Sequence, residues 1–375
     1  MRITDVEATA VSVPYSVPTT WSKGRGVRTF NLIIKVSTDE GLVGWGESVG
    51  PAVYNAKNLV EREFRRLLIG ADPCNHAAIR ASVDLALDYL PGARWAFSGV
   101  DMALWDLRGK ASGSTVSDLL GGRLAEEVEC VGYVFIDTAD VNAAEARRFV
   151  AAGHRTIKMK VGRDFTIDEE RIAAVRDAIG PDVQLRIDPN AAWTRYNAAG
   201  FLRVLEQYDL EFVEQPLPRG DIDGHAELRR RSNVPIAVDE SCGTLQDAIR
   251  LASSGACDVF VVYVSQAGGL MEAKRIADFA ADVGLRCVMG SASELAVATV
   301  AQAHVVVSSA GFRGAMDTHI PLQDGDVVTA EHRVVLREGS VVLPREPGLG
   351  ADVDEDALPR YPVPDIVPTY SLYDA

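Results

Sequence analysis

The stretches VQLRID (residues 183–188), LEFVE (210–214) and PIAVD (235–239) are short apolar runs, and each of them ends in a carboxylate. The carboxylates lie 26 and 25 residues apart, which is about the length of one strand followed by one helix. Because parallel strands joined by helices end at the same edge of a sheet, we expect the three side chains to lie close together. In chain order, they are Asp188, Glu214 and Asp239.

Short apolar strands alternate with amphipathic helices on both sides of these stretches, from about residue 129 onward. The pattern predicts eight strands, at residues 129–135, 155–161, 183–188, 210–214, 235–239, 257–263, 286–290 and 311–316. It predicts intervening helices that include residues 142–152, 168–179, 196–207, 244–254 and 271–283. Eight strands with helical crossovers favour an α/β fold of the closed barrel type over an open sheet.

The first third of the chain has a different pattern, which predicts a separate α+β domain. Residues 1–50 alternate like an antiparallel sheet, and residues 56–125 show the three- and four-residue apolar spacing of helices. The tail is rich in Pro, Asp and Val, and we expect it to pack back on the N-terminal domain. The predicted divisions are an N-terminal domain, a barrel and a C-terminal segment at residues 1–125, 126–320 and 321–375.

The composition restricts the class of partner. The 375 residues include 38 Lys and Arg against 53 Asp and Glu, so the net charge of −15 argues against a nucleic-acid-binding face. No run approaches the ~18 apolar residues of a membrane helix, and the N-terminus lacks the pattern of a signal peptide. Five widely spaced cysteines without a CxxC motif are typical of reduced thiols. We therefore expect a cytoplasmic protein that binds a small molecule rather than nucleic acid or a membrane.

The three strand-end carboxylates predict a metal site. Three bare carboxylates at one rim would raise each other's pKa, and a divalent cation removes that cost. Mg²⁺ fits because it takes oxygen ligands in octahedral geometry and keeps positions open for substrate oxygens. A single Asp or Glu at a strand end is more often a helix N-cap, but three in consecutive units are hard to explain as three separate caps.

Lys158 and Lys160 end the preceding strand. Residues two apart point to the same face of a strand, which is here the interior of the barrel. Two neighbouring ammonium groups disfavour each other's charged form, so one of them can act as a neutral base near pH 7. Such pairs are common on surface strands, but beside three carboxylates this pair predicts a catalytic base.

A series of motifs resembles the enolase superfamily, in its muconate-lactonizing-enzyme-like subgroup (the mandelate racemase/muconate lactonizing enzyme family). The match runs over nearly the whole chain, and its order and spacing are more specific for the family than for a substrate. The motifs are GWGE (44–47), AFSGVDMALWDLRGKASG (96–113), LLGG (119–122), TIKMKVG (156–162), DPNAAW (188–193), EQP (214–216), VDES (238–241) and GGL (268–270).

The resemblance implies a modified TIM barrel, (β/α)₇β, under an α+β capping domain that the C-terminal segment completes, and it implies a homo-oligomer. The implied first step is abstraction of a proton α to a carboxylate, giving an enediolate stabilised by the metal. Lys160 would be the base and Lys158 would tune it. Glu240 is expected to lie next to the third ligand without binding the metal itself, with the alternative that it replaces Asp239 as that ligand. The implied Mg²⁺ ligands are Asp188, Glu214 and Asp239.

Tyr263 is the main departure from the pattern of the family. Members of the subgroup usually have a second lysine at this position, five residues before the Gly-Gly pair. A histidine at the end of the seventh strand, typical of mandelate-racemase-like enzymes, is absent from residues 286–290. Tyrosine, with an ordinary pKa near 10, is a poor base but a workable acid. One base and one acid favour β-elimination of water, with the alternative that Tyr263 only lines the pocket.

Four further residues are candidates for substrate binding. Asp317 is the second half of an Asp-x-Asp pair that dipeptide epimerases of the subgroup have on the eighth strand, and the first half is absent here. Glu294 follows the seventh strand, where the subgroup often has an acidic residue. Trp21 lies in a polar segment that corresponds to the loop covering the substrate in the family. Asn190 follows the third strand.

These observations predict a Mg²⁺-dependent dehydratase of a small hydroxy carboxylate, with a hydroxyproline-type imino acid as one candidate substrate. The alternatives within the family are a racemase or epimerase, and a cycloisomerase that forms a lactone. An alternative of another class is a non-catalytic binding protein that retains the fold.

Overall fold

The N-terminal domain contains two antiparallel sheets. Its strands are β1 (Ile3–Val11), β2 (Pro14–Trp21), β3 (Gly24–Arg28), β4 (Asn31–Thr38) and β5 (Val43–Val49). One sheet has the order β1-β4-β5, and β2 and β3 form a separate hairpin. The predicted alternation is visible in the middle of β1, where Val6 and Ala8 are buried and Glu7 between them is exposed. The computed structural model describes residues 1–50 and 52–364, so residues 365–375 of the predicted C-terminal segment lie outside the described residues.

Five α-helices follow the first sheet, with a π-helical stretch at Leu59–Phe64 between the first two. The helices are α1 (Val53–Asn58), α2 (Arg65–Leu68), α3 (His76–Tyr89), α4 (Ala93–Ser112) and α5 (Val116–Leu119). The glycines of the GWGE motif let β5 pack directly on the backbone of α4. A Cβ at Gly44 or Gly46 would overlap a carbonyl oxygen of that helix.

A curled parallel sheet of seven strands forms the second part of the chain. After β6 (Glu127–Glu129), its strands are β7 (Gly132–Val134), β8 (Thr156–Lys160), β9 (Gln184–Asp188), β10 (Phe212–Glu214), β11 (Ile236–Val238), β12 (Val259–Val262) and β13 (Arg286–Met289). They are neighbours in sequence order, from β7 to β13. The helices that follow them are α6 (Ala139–Ala151), α7 (Phe165–Ile179), α8 (Arg195–Leu205), α9 (Ile222–Arg231), α10 (Leu245–Ser253), α11 (Val264–Ala267), α12 (Leu270–Asp282) and α13 (Ala296–Val307).

Residues 311–316, predicted as the eighth strand, form no regular strand. They make two isolated parallel bridges, from Phe312 to Cys287 of β13 and from Met316 to Cys130. Gly314 has a φ of 122°, which interrupts the extended conformation that a strand needs. The segment nevertheless links the two ends of the seven-stranded sheet, so the prediction of an α/β barrel agrees with the structure, although the eighth strand is irregular.

The residues after the barrel return to both earlier parts of the chain. Two short strands, β14 (Leu336–Arg337) and β15 (Ser340–Val342), pair with β6 in one antiparallel sheet. Pro362 makes an antiparallel bridge to Val11 of β1. All five cysteines are free thiols. Within the described ranges, none of the helices has the length and apolar character that spanning a membrane requires.

Candidate active site

The three carboxylates lie at the carboxyl edge of the parallel sheet. Asp188 and Glu214 are the last residues of β9 and β10, and Asp239 directly follows β11. Their side chains are 0%, 1% and 3% exposed, so water solvates almost none of this charge. The parallel register sets Lys160 of β8 opposite Asp188. Residues that are spaced one strand and helix apart in the sequence therefore lie together as a cluster of acidic and basic groups.

Lys158 lies at the centre of this cluster, 1% exposed. Its Nζ donates to Glu214 Oε1 at 2.7 Å and to Asp317 Oδ2 at 2.6 Å, and it lies 3.6 Å from Asp188 Oδ2. Burial alone would lower the pKa of Lys158, but the surrounding carboxylates raise it well above its ordinary value. Lys158 is therefore a fixed ammonium group, which makes it unsuitable as a base.

Lys160 has the more open position of the two lysines. Its side chain is 12% exposed, and its Nζ donates to Asp188 Oδ2 at 2.5 Å. Both lysines lie over the ring of Tyr133, with Nζ about 5.5 and 5.7 Å from its centroid. Lys160 lines the main cavity and Lys158 does not. The structure thus separates the pair into a buried charge and an accessible amine.

Among the described residues, the buried carboxylate oxygens Glu214 Oε2 and Asp239 Oδ1 find no hydrogen-bond partner. Burial raises the pKa of Glu214 to about 8, and burial with the neighbouring Glu240 and Glu214 raises that of Asp239 well above its ordinary value. Among the described residues, no group of three His, Cys, Asp or Glu side chains is already arranged to hold a metal ion. The donor set nevertheless fits a hard divalent cation, because such an ion offsets the repulsion and binds the unpaired oxygens.

Tyr263 directly follows β12, and its hydroxyl donates to Asp239 Oδ2 at 2.5 Å. Burial and the nearby carboxylates raise the pKa of Tyr263 well above its ordinary value. The ring occupies space that the absence of a side chain at Gly290 provides, since a Cβ there would overlap it. Tyr263 therefore keeps its proton and can donate a hydrogen bond, and it is a weak candidate for a base. Glu240 lies near Tyr263, and its buried Oε2 has no hydrogen-bond partner in the part of the chain that the structure describes.

A cavity of about 660 Å³ opens over this cluster. Six of the residues predicted as site residues line it, and they come from the β2–β3 hairpin and from the carboxyl edge of the sheet. They are Trp21, Lys160, Asn190, Asp239, Glu240 and Tyr263. The wall also contains four arginines, which with Lys160 outnumber its acidic residues, in a protein whose net charge is −15. The cavity therefore favours an anionic ligand. The arginines are Arg25, Arg28, Arg94 and Arg219.

Two of the predicted substrate-binding residues lie behind the wall of the cavity instead of on it. Asp317, 1% exposed, bonds Lys158 and accepts a hydrogen bond from the Tyr133 hydroxyl at 2.9 Å. Glu294, also 1% exposed, accepts from the Ser291 hydroxyl at 2.5 Å and from the Ala292 amide at 2.9 Å. Both carboxylates are hydrogen-bonded to neighbouring side chains and lie outside the cavity wall, so neither is placed to contact a ligand directly.

His319 lines the cavity, although the sequence analysis did not identify it as a site residue. The histidines were considered there only for a role at the seventh strand. His319 comes two residues after Asp317, and the period of two along an extended segment would have placed both on the inner side of the barrel. Its ring packs on that of Tyr133, with the centroids 4.7 Å apart.

Comparison with known protein families agrees with this architecture. Residues 3–121 match the mandelate racemase/muconate lactonizing enzyme N-terminal domain, and residues 142–357 match the enolase C-terminal domain-like family. The chain belongs to the mandelate racemase/muconate lactonizing enzyme family of the enolase superfamily. The resemblance inferred from the motifs is thereby confirmed, and the chain is an enzyme of that family.

Relatives of known activity cover nearly the whole chain. The N-succinyl-L-Arg/Lys racemase of Bacillus cereus is 30% identical over 365 residues, covering 96% of this chain and 97% of the relative. The crystal structure of that racemase superposes with a TM-score of 0.91. The D-galactarolactone cycloisomerase of Agrobacterium fabrum is 31% identical over 384 residues, covering 97% and 100%.

A dipeptide epimerase from Enterococcus faecalis provides a liganded comparison. Its crystal structure, complexed with Mg and the dipeptide L-Leu-L-Tyr, is 29% identical with a TM-score of 0.88 and covers 94% of this chain and 100% of its own. These three relatives are isomerases.

Proposed function

We propose that this protein is a Mg²⁺-dependent isomerase of the cycloisomerase type, which opens a lactone by removing the proton α to a carboxylate as the ring C–O bond at the β-carbon breaks, or closes the ring by the reverse addition. The observation that carries the proposal is that Lys160 is the only lysine among the described residues that line the cavity. The corresponding position on the sixth strand is Tyr263, whose hydroxyl is bonded to Asp239. A reaction that needs one base fits this wall better than a racemisation, which needs a proton carrier on each face of the carbon.

The residues of the cluster have separate roles in this chemistry. Lys160 removes the α-proton, because its amine reaches the cavity. Asp188, Glu214 and Asp239 would hold the metal, which when bound offsets the negative charge that develops on the substrate carboxylate. Lys158 stays charged and keeps Glu214 and Asp317 oriented.

Four arginines on the cavity wall favour a substrate with more negative charge than a single carboxylate carries. The guanidinium groups of Arg25 and Arg219 have no carboxylate partner among the described residues, so both remain available to an anion. The occurrence of a D-galactarolactone cycloisomerase among the relatives supports a lactone of an acidic sugar as the substrate class.

The relatives of this chain favour isomerisation over the dehydration that the sequence pattern placed first. They give no support to a hydroxyproline-type substrate, which stays a prediction. Epimerisation is the second candidate, because a racemase and a dipeptide epimerase are also relatives of this chain. The difference between these reactions lies in what happens to the substrate after the proton is removed.

Proton NMR in D₂O with Mg²⁺ tests the proposal directly. The panel should contain sugar-acid lactones, N-acyl amino acids, dipeptides and hydroxylated acids. We expect loss of the α-proton signal together with opening of a lactone, and we expect Lys160→Ala to abolish both. Lys274→Ala is the matched control, because Lys274 lies on α12 and is paired with Asp278 away from the cavity.

The alternatives give different spectra. Exchange with inversion of configuration and no change of connectivity would identify an epimerase. Loss of water from a hydroxylated acid that carries no lactone, with a new keto or unsaturated product, would identify a dehydratase. Exchange that survives in Lys160→Ala would show that the base is another group, and silence across the panel would refute the proposed substrate class.

A further inference from the structure

His319 forms the end of a short chain of hydrogen bonds that starts at Glu294. Its Nδ1 lies 2.8 Å from Ser291 Oγ, and Ser291 Oγ lies 2.5 Å from Glu294 Oε2. The three side chains are 8%, 8% and 1% exposed. The proposed role of Lys160 does not involve these hydrogen bonds, so the arrangement of Glu294, Ser291 and His319 needs a separate explanation.

The single hydroxyl hydrogen of Ser291 determines which groups donate and which accept in this series of hydrogen bonds. Both carboxyl oxygens of Glu294 accept from the Ala292 amide, and Oε2 takes the Ser291 hydrogen as well. Ser291 Oγ is then an acceptor, both for the Ser293 amide at 3.3 Å and for His319 Nδ1. The Nδ1 atom of His319 therefore carries a hydrogen.

The environment of the ring keeps His319 neutral. Burial, reinforced by the positive charge of Lys160, lowers its pKa to about 3. A neutral imidazole with its hydrogen on Nδ1 has a lone pair on Nε2. The rings of Tyr133 and Phe135, with centroids 4.7 and 6.2 Å away, restrict the ring. His319 thus presents an oriented acceptor to the cavity that it lines.

We propose that His319 Nε2 accepts a hydrogen bond from a hydroxyl group of the substrate, and that Ser291 and Glu294 are positioning residues for it. This deepens the proposed function, on which it rests, by specifying a hydroxylated carboxylate. A hydroxyl donor fits better than an ammonium donor. Lys158 and Lys160 lie near enough to lower the pKa of His319, and their positive charges would likewise repel an ammonium group. A site built to pair a substrate hydroxyl discriminates strongly against the analogue without it, because the buried acceptor is then left unpaired.

The first experiment compares α-proton exchange in D₂O with Mg²⁺ for acids that differ in hydroxyl groups: galactarate and adipate, malate and succinate, hydroxyproline and proline. We expect at least about a tenfold preference for a hydroxylated member in the wild type. His319→Phe should remove the preference, and His319→Gln, which retains an acceptor, should restore part of it. Equal exchange of both members of every pair would overturn the inference while leaving the proposed function in place.

The second experiment does not depend on turnover. Long-range ¹H–¹⁵N correlation spectra of the full chain report the tautomer of each of its six histidines, and the set missing from His319→Gln belongs to His319. We expect the Nδ1–H tautomer, with a shift toward a mixture in Ser291→Ala. An Nε2–H tautomer or an imidazolium at pH 7 would overturn the inference. If the exchange panel is silent, the proposed function fails and the tautomer alone decides this inference.

Discussion

Replacing His304 by glutamine should weaken the loss of stability that acid causes. His304 lies in α13, is 0% exposed, and bonds two backbone groups of other segments. Its Nδ1 accepts from the Ser117 amide at 3.3 Å, and its Nε2 lies 3.1 Å from the Leu349 carbonyl oxygen. The neutral ring with its hydrogen on Nε2 satisfies both bonds, whereas a second hydrogen would point at the Ser117 amide.

The size of the effect follows from the pKa of this group. Burial lowers the pKa of His304 to about 4, against an ordinary value of 6.5. Between these values the unfolded chain binds more protons than the folded chain, so the free energy of unfolding rises with pH across this window. A difference of about 2.5 pH units at about 1.36 kcal/mol each gives roughly 3 kcal/mol. That stability is present above pH 6.5 and is lost as the pH falls through 4.

Glutamine can preserve both bonds, since its amide oxygen and nitrogen can replace Nδ1 and Nε2, but it does not titrate. We therefore expect urea unfolding curves at a series of pH values from 7 to 4 to show a smaller loss for His304→Gln. The difference should approach about 3 kcal/mol at the acid end. His332→Gln, at a partly exposed histidine bonded to Thr329, is the matched control and should follow the wild type. Parallel curves for His304→Gln and the wild type would refute this reasoning.

Three further predictions concern the acidic cluster. Lys158→Met leaves the carboxylates of Glu214 and Asp317 buried without their shared ammonium group, and we expect urea unfolding to show a loss of about 3–5 kcal/mol; an unchanged midpoint would argue against the coupling. Tyr263→Phe removes the hydroxyl that is bonded to Asp239 and should weaken Mg²⁺ binding about tenfold by calorimetry; equal affinity would contradict this support. Mg²⁺ at about 100 times its Kd should add about 2.7 kcal/mol to the free energy of unfolding, and EDTA should reverse the gain; a melting temperature insensitive to both would contradict the metal site.

The sequence pattern predicted the fold class and the family because both depend on order and spacing. Strand ends separated by one strand-plus-helix unit must come to the same edge of a parallel sheet. The GWGE motif likewise reflects a local requirement, the close packing of β5 on α4. The eighth strand was assigned incorrectly as a regular strand because alternation does not reveal the positive φ of Gly314.

The distance of each site residue from the cavity was harder to predict from the sequence. A period of two gives the face of a strand but not the distance of a side chain from the cavity, so Lys158 and Asp317 were not separated from Lys160. The relation of Glu294 to Ser291 and His319 depends on a turn after β13 and on a segment 28 residues away from Ser291. Contacts of this kind arise from tertiary packing, and no local pattern indicates them. The roles assigned to these residues stay predictions until they are tested.

The contact between Gly290 and Tyr263 limits the order in which this site can change during evolution. While Tyr263 is present, any side chain at position 290 overlaps its ring, so only glycine is tolerated at that position. Replacement of Tyr263 by a slimmer side chain, such as the lysine usual in the subgroup, is sterically open as a single step and removes the overlap with the ring, although Val261 Cγ1, 2.8 Å from a Cβ at position 290, would also have to shift. A later substitution at position 290 would in turn block the return of the tyrosine. The two positions therefore constrain each other's substitution, and directed evolution of this enzyme should vary both of them together.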